Sequence, residues 1–260
     1  MIKAIQADFY RLLRSKGYWI TQVAMLAFLT LTVYLQAIGG VGINTESPQE
    51  ALSAVEAMQA MTWTSEVSLT LVTSMASMLI YFCLPLFVMI IGHDLTRKTY
   101  KNILTTGLSR ISFFLSKFVV FMVIMACQFL LFYGWVCLIA GIKNGFGNLD
   151  ADFVQHIFTT MGYQYLNMLA IFAISTLVMY LLYSNVSVVM ATVILPLVLT
   201  ITQMLLKWKV LDYINFQTNI DQAFQIEASS ELFRNTMLGS LATIGLSLVI
   251  ASYLFKKKSL

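Results

Sequence analysis

Charge is scarce in this chain. Asp, Glu, Lys and Arg make up 11% of its 260 residues, while 59% are hydrophobic. A soluble globular domain carries about 25% charged and about 45–50% apolar residues, so that class is excluded. Histidine is nearly missing, with only His93 and His156. No HExxH motif occurs, and no His, Asp or Glu pair has metal-ligand spacing within an apolar run, so a metalloprotease or acid-catalysed enzyme would lack its working groups. No catalytic residue and no metal ligand is assigned. Ser and Thr in the apolar runs have no nearby His or Lys base and read as interhelical hydrogen-bonding groups. There is no GxxxxGK[ST] loop, so the chain does not bind ATP by that device. The three cysteines, Cys83, Cys127 and Cys137, fall in apolar runs without an even set of partners and read as buried, inert thiols.

Long apolar runs are what the sequence has in excess. Six can be cut without one Asp, Glu, Lys or Arg, at about 17–38, 70–92, 118–141, 163–183, 186–206 and 236–255. Each is near the roughly 20 residues that cross a hydrocarbon core of about 30 Å at about 1.5 Å per residue. Mean hydropathy is +0.80. A membrane β-barrel would alternate apolar and polar residues over segments of about ten, and runs such as Leu177 to Leu182 show no alternation. The fold class expected is an all-α integral membrane protein, one transmembrane domain over residues 1–260 with six helical spans. A basic start before an apolar run also suits a secretory signal, but this run is longer than a signal core of about 7–15 residues, so a retained span is expected.

An even number of spans puts both termini on one side. That side holds twelve bases, Lys3, Arg11, Arg14, Lys16, Arg97, Lys98, Lys101, Arg110, Lys117, Lys256, Lys257 and Lys258, against two acids, Asp8 and Asp94. The other side holds four bases against ten acids. The Lys and Arg excess marks the first side as cytoplasmic. Residues 1–16 read as an interfacial helix: Ile2, Ile5, Phe9, Leu12 and Leu13 share one arc, and Lys3, Gln6, Arg11 and Arg14 lie mostly on the other, toward lipid headgroups.

Of the external connections, the first contains Ser47, Pro48, Gln49 and Glu50, a capping-box pattern with proline at the first helical position, followed by a stripe of Leu52, Val55, Met58 and Met61. It predicts a short external helix. The second, 142–162, reads as loop with a short helical re-entry at 153–158. The third, 207–235, mixes aromatic and acidic residues without clear period. No ionisable residue falls within a span, so ion-coupled carriage lacks its usual group and any transport would draw its energy from outside the chain.

The longest connection on the basic side runs from His93 to Lys117. Asp94 can lead a helix containing Leu95, Arg97, Lys98, Tyr100, Lys101 and Leu104. The turn Thr105, Thr106, Gly107 ends it, and Ser109 or Ser112 restarts a helix into the third span. Such a basic, partly apolar helix either docks into a partner's groove or only anchors topology.

This order of elements resembles the type-2 ABC export permeases. In that family the loop after the second span carries an acid, a small and basic stretch, a Leu pair, a turn of Pro-Ser-Arg character and a Lys opening the third span. The matching residues here are Asp94, Lys98 with Thr99, Ile103 with Leu104, Gly107 through Ser109 with Arg110, and Lys117. Asp94 replaces the commoner Glu, and Gly107 stands near the expected Pro. Small size and small external loops are most similar to permeases of bacteriocin-immunity and peptide-export systems. The resemblance implies a bacterial cytoplasmic membrane and a pair of such subunits, identical or sisters, over two ABC ATPase subunits that bind ATP and Mg. It implies a coupling helix around Asp94 to Leu104, engaging the ATPase through Asp94, Arg97, Lys98, Tyr100, Lys101, Leu104 and Arg110. Spans two and five would line the path and spans one and five would meet the second subunit.

Path candidates are Met75, Met78, Pro85, Pro196 and Gln203. The prolines remove a backbone donor and permit kinks, and Met75 and Met78, with Met89, Met190 and Met204, form an adaptable apolar surface or plain core. Gln128, Asn167 and Gln203 read as bonding between helices, and Gly239, Thr243, Ser247 and Ala251 form a small-residue row in span six. The function expected is ATP-driven export of an amphipathic peptide or other hydrophobic molecule, with membrane lipid and no nucleic acid as further surroundings. The alternative is a non-transporting sensor or sequestering partner for external cationic antimicrobial peptides, attracted by the acidic face.

Overall fold

The computed structural model of the protein describes residues 2–36, 62–105, 107–206 and 208–257. Among them there are helices and turns but no strand. α1 is Ile2–Leu13 and α2, the first span, Lys16–Leu35. α3 is Ser65–Thr73. The second span follows as a 3-10 turn at Ala76–Met78, α4 at Leu79–Phe87, a π-helical turn at Val88–Gly92 and α5 at His93–Thr96. A short α6, Tyr100–Thr105, leads to α7, Arg110–Asn144, the third span. Spans four and five are α8, Ala151–Leu182, and α9, Asn185–Leu206. Two short helices, α10 at Lys209–Ile214 and α11 at Phe216–Gln222, precede span six, α12 at Glu231–Lys257.

Six helices are thus long and apolar enough to cross a membrane. The external helix expected at Ser47 to Met61 lies outside the described residues. A loop remains at 145–150, as expected, but span four begins at Ala151 and absorbs the separate re-entry expected at 153–158, because residues such as Asp152, Gln155 and His156 carry the same helix beyond the apolar stretch. Its 32 residues reach roughly 48 Å at about 1.5 Å per residue, more than a hydrocarbon core requires. Span three is likewise longer than its apolar run. It starts where the Ser109 hydroxyl accepts from Ser112 N at 3.1 Å and stops at Gly145, whose φ of 87° suits glycine.

Spans two, three and four form the buried centre, span one is about one-third buried, and spans five and six are mostly exposed. One ring from each central span meets there: Phe87, Phe121 and Phe172 have centroids 4.8 to 5.5 Å apart. Span six lies chiefly along span four. Ser247 and Ala251 of its small-residue row are buried, whereas Gly239 and Thr243 are only half-buried. Of the cysteines, Cys83 is buried, Cys137 is half-buried and Cys127 is exposed on the outer face of span three, which corrects the expectation of three buried thiols.

Span two is not the single uninterrupted helix its apolar run suggests. The Thr73 and Ser74 hydroxyls bond back to the Thr70 and Leu71 carbonyls at 2.5 and 2.6 Å, competing with the helical ladder, and the chain turns. The freed groups find partners across the molecule. Gln164 of span four donates to Thr73 O at 3.0 Å and Ile220 O at 2.8 Å, and the Tyr133 hydroxyl of span three donates to the Gln164 carbonyl. Asp221 accepts from Ser77 N at 3.0 Å and from Ser77 Oγ at 2.8 Å. The third connection, read as lacking a clear period, thus brings a carboxylate on α11 to the break in span two, which the spacing of charges alone did not predict.

Candidate functional site

The segment joining spans two and three folds in two pieces rather than the one helix expected. α5 continues span two, and the chain turns at Arg97 to Thr99, with Lys98 in the left-handed region at φ 57°. Thr99 causes this. Its hydroxyl bonds the Asp94 carboxylate at 3.1 Å and the Asp94 carbonyl at 3.4 Å, drawing the chain back before α6 begins.

Asp94 is the centre of the site. It is 1% exposed and faces inward, away from the surface that the segment presents. Arg11 of α1 grips its carboxylate with two nitrogens, at 2.7 and 3.1 Å, a bidentate, charge-assisted pair. Lys117 of span three bonds its other side and also bonds Asp8 at 2.6 Å, while Arg11 lies 3.3 Å from Asp8. Two carboxylates and two cations thus close a nearly neutral network, with Lys117 at 3% and Asp8 at 8% exposure. The His93 ring nitrogen stands 3.4 Å from Asp94. A crevice of about 140 Å³ beside the network is lined by Asp8, Arg11, Leu12, Ser15, Met89, Ile90 and His93.

The network corrects the reading of α1. The Arg11 guanidinium is spent on Asp94 while the rest of its side chain stays exposed, and Asp8 joins Ile5, Phe9 and Leu12 on the packed face. The signal was present in the spacing: Ile5, Asp8, Phe9 and Leu12 stand at i, i+3, i+4 and i+7, so an acid interrupts an apolar arc. A charge there calls for a buried cation.

Tyr100 secures the other end of the segment. Its ring lies 5.6 Å from Phe255 of span six and 6.1 Å from Tyr183 at the end of span four, and Phe255 also meets Tyr180 and Phe113 at 5.1 and 5.9 Å. Arg110 donates to the carbonyls of Lys256 at 2.9 Å and Phe255 at 3.3 Å, capping the end of span six. Ile103 and Leu104 are half-buried against the core, whereas Arg97, Lys98 and Asn102 are exposed and Lys101 is partly so. Of the seven residues assigned to partner contact, Asp94 and Tyr100 are inward anchors, Arg110 is tied to span six, and the bases Arg97, Lys98 and Lys101 lie outward.

The five path candidates do not share one surface. Pro85 lines an open groove of about 570 Å³ between spans one, two and five, together with Gly17, Thr21, Tyr81, Met89 and Val189. Met75 is buried at the break in span two, and Met78 is half-buried. Pro196 faces a narrow crevice with Ser175, Thr192 and Phe216. Gln203 is engaged outside the groove, donating to Asp212 at 2.6 Å and accepting from Asn215. Among the described residues no group of His, Cys, Asp and Glu could hold a metal ion.

Neither a curated protein nor a solved structure matches the chain. A family model does, that of the ABC-2 family transporter protein, over residues 4–206, which takes in α1, the ion network, the two-piece segment and spans one to five. With six membrane-crossing helices and that match over most of its length, the chain belongs to the ABC-2 transporter family and is a multi-pass permease subunit that works with an ABC ATPase.

Proposed function

We propose that this subunit exports an amphipathic peptide or other hydrophobic molecule, and that residues 93–105 are the coupling segment seated in the ATPase. The observation that carries the reading is the double anchorage of that segment. Asp94 ties it to α1 through the part-buried pair with Arg11 and to span three through the buried pair with Lys117, and Tyr100 ties it to spans four and six through packed rings. A segment held in this way moves the spans when it is moved, since packed aromatic and ionic contacts shift as units. Arg97, Lys98 and Lys101 then supply the contact with the ATPase, and Asp94, Tyr100, Leu104 and Arg110 act from behind it.

The charge distribution supports both termini lying in the cytoplasm of a bacterial cell, with ATP and Mg bound by two ATPase copies beneath a pair of permeases, identical or sisters. The exposed faces of spans one and five are apolar, as a subunit contact or lipid requires. The groove at Pro85 and Met89, open and apolar, suits a hydrophobic cargo entering from the inner leaflet.

The test is copurification from native membranes followed by turnover measurements. A stoichiometric ATPase stimulated by the permease, and efflux of a fluorescent amphipathic peptide from inside-loaded vesicles, are expected. Binding of external cationic peptide without a nucleotide-dependent partner would instead establish the sensing role.

A further inference from the structure

The break in span two is closed from the acidic side of the protein by one carboxylate. Asp221, on α11, receives both the backbone N–H and the hydroxyl of Ser77, at 3.0 and 2.8 Å. Residues 76–78 are the turn where the span resumes after Thr73. The Asp221 side chain is turned into the protein, and among the described residues no Lys, Arg or His forms an ion pair with it.

The titratable groups around it are engaged elsewhere. Glu66 of α3 accepts from Asn148 N at 2.9 Å, and Asp212 of α10 accepts from Gln203 at 2.6 Å. On span four, His156 meets the Phe224 carbonyl at 3.1 Å, Tyr165 donates to Met122 O, and Tyr163 stacks on Phe233. On span six, Glu231 accepts from Asn235, and Arg234 is exposed and forms no ion pair among the described residues. Tyr133 of span three is tied to Gln164, and α9 carries no titratable residue. An anion without a cation at a partly dehydrated junction has one inexpensive partner, the proton.

We propose that Asp221 is a proton-binding latch: as a neutral acid it docks α11 firmly on the break in span two, and as a carboxylate it loosens that contact. The neutral acid keeps the Ser77 N–H on one oxygen and donates its own proton to Ser77 Oγ, so both contacts survive, the second as a weaker neutral bond in place of a charge-assisted one, without a buried charge. Burial pushes its pKa from the ordinary 3.8 up to about 6, with the Ser77 bonds pulling the other way. A carboxyl group that holds its proton more tightly when docked stabilises docking fully below about 3.8 and loses that stabilisation as pH rises to about 6. Acidification on the side of the membrane that α11 faces therefore clamps the adjoining half of span two. The latch belongs to the fold and stands whether or not the transport reading does.

Hydrogen–deuterium exchange of the amides around Ser77, on the full chain in nanodiscs and corrected for intrinsic rates, tests it. In the wild type, opening should increase up to about tenfold for each pH unit between about 4.5 and 6 and then level off. Asp221→Asn, which imitates the neutral acid, should stay closed and flat over that range. Ser77→Ala removes a bond that favours the charged form, so its levelling point should move above pH 6. A wild-type profile without slope, the same slope in Asp221→Asn, or an unmoved levelling point in Ser77→Ala would overturn the latch. If Asp221→Asn does not fold, the wild-type and Ser77→Ala profiles decide alone.

Discussion

At the residue scale, the Asp94 network is the most demanding feature of the molecule. Asp94→Ala strands Arg11 and Lys117 beside each other with only Asp8 between them, and Lys117 has almost no access to water. Leaving a buried charge without its partner typically destabilises by about 3–5 kcal/mol. Denaturation in detergent should show a loss of that order, and adding Lys117→Met should recover part of it; additive losses would mean that the two side chains do not interact. Gly92 makes a second point-specific demand. A Cβ there would come within 2.3 Å of Asn185 Oδ1, which accepts from Thr96 at 2.9 Å, so the start of span five lies hard against the end of span two. Gly92→Ala should destabilise by about 1–3 kcal/mol through overpacking. The same change in an Asn185→Ala background should be nearly silent in a melting experiment.

At the element scale, the connecting segment separates holding from contacting. Arg97→Glu combined with Lys98→Glu alters exposed side chains, so stability should stay within about 0.5 kcal/mol of the parent. Permease-stimulated ATP turnover in the reconstituted complex should nevertheless fall severalfold; unchanged turnover would remove this surface from the coupling role. Tyr100→Ala should lower stability and coupling together, because its ring joins the ends of spans four and six to the segment. The restart at Ser109 was legible, since a serine before an apolar run is a helix-capping signal and its hydroxyl does cap α7. The turn at Lys98 was not, because nothing local makes lysine adopt a positive φ. Thr99 imposes that turn by reaching back to a carboxylate that α1 and span three hold in place. The interrupted span two was equally opaque: hydropathy averages over a window and does not register which hydroxyl will take a carbonyl.

At the scale of the whole molecule, the spans divide into a packed centre and a looser flank. Spans two to four share the Phe87, Phe121 and Phe172 contact, so Phe87→Ala should destabilise by about 3–5 kcal/mol, whereas truncating exposed Met204 should be almost neutral in the same melting assay. Orientation is testable independently of stability. In a background with the native cysteines replaced by serine or alanine, Lys98→Cys should react with a membrane-impermeant thiol reagent only after the cells are opened. Asn148→Cys should react in intact cells. The reverse pattern would invert the topology argued from the basic side.

Hydropathy determined the helical class and the six crossings on its own, because dehydrating backbone in lipid leaves a chain this apolar little alternative to helix. The lopsided charges pointed to an orientation, and the segment between spans two and three stood out for its cluster of bases. Which of those charges face outward was decided only when the helices packed. Asp94 looks like a surface charge in one dimension, yet it is buried against Lys117 and held from the surface side by the exposed Arg11, since a buried ion persists only beside its opposite. Asp221 looks like one more acid in an external loop, yet folding places it on the gap in span two, where the freed backbone of one segment is satisfied by a side chain 144 positions away.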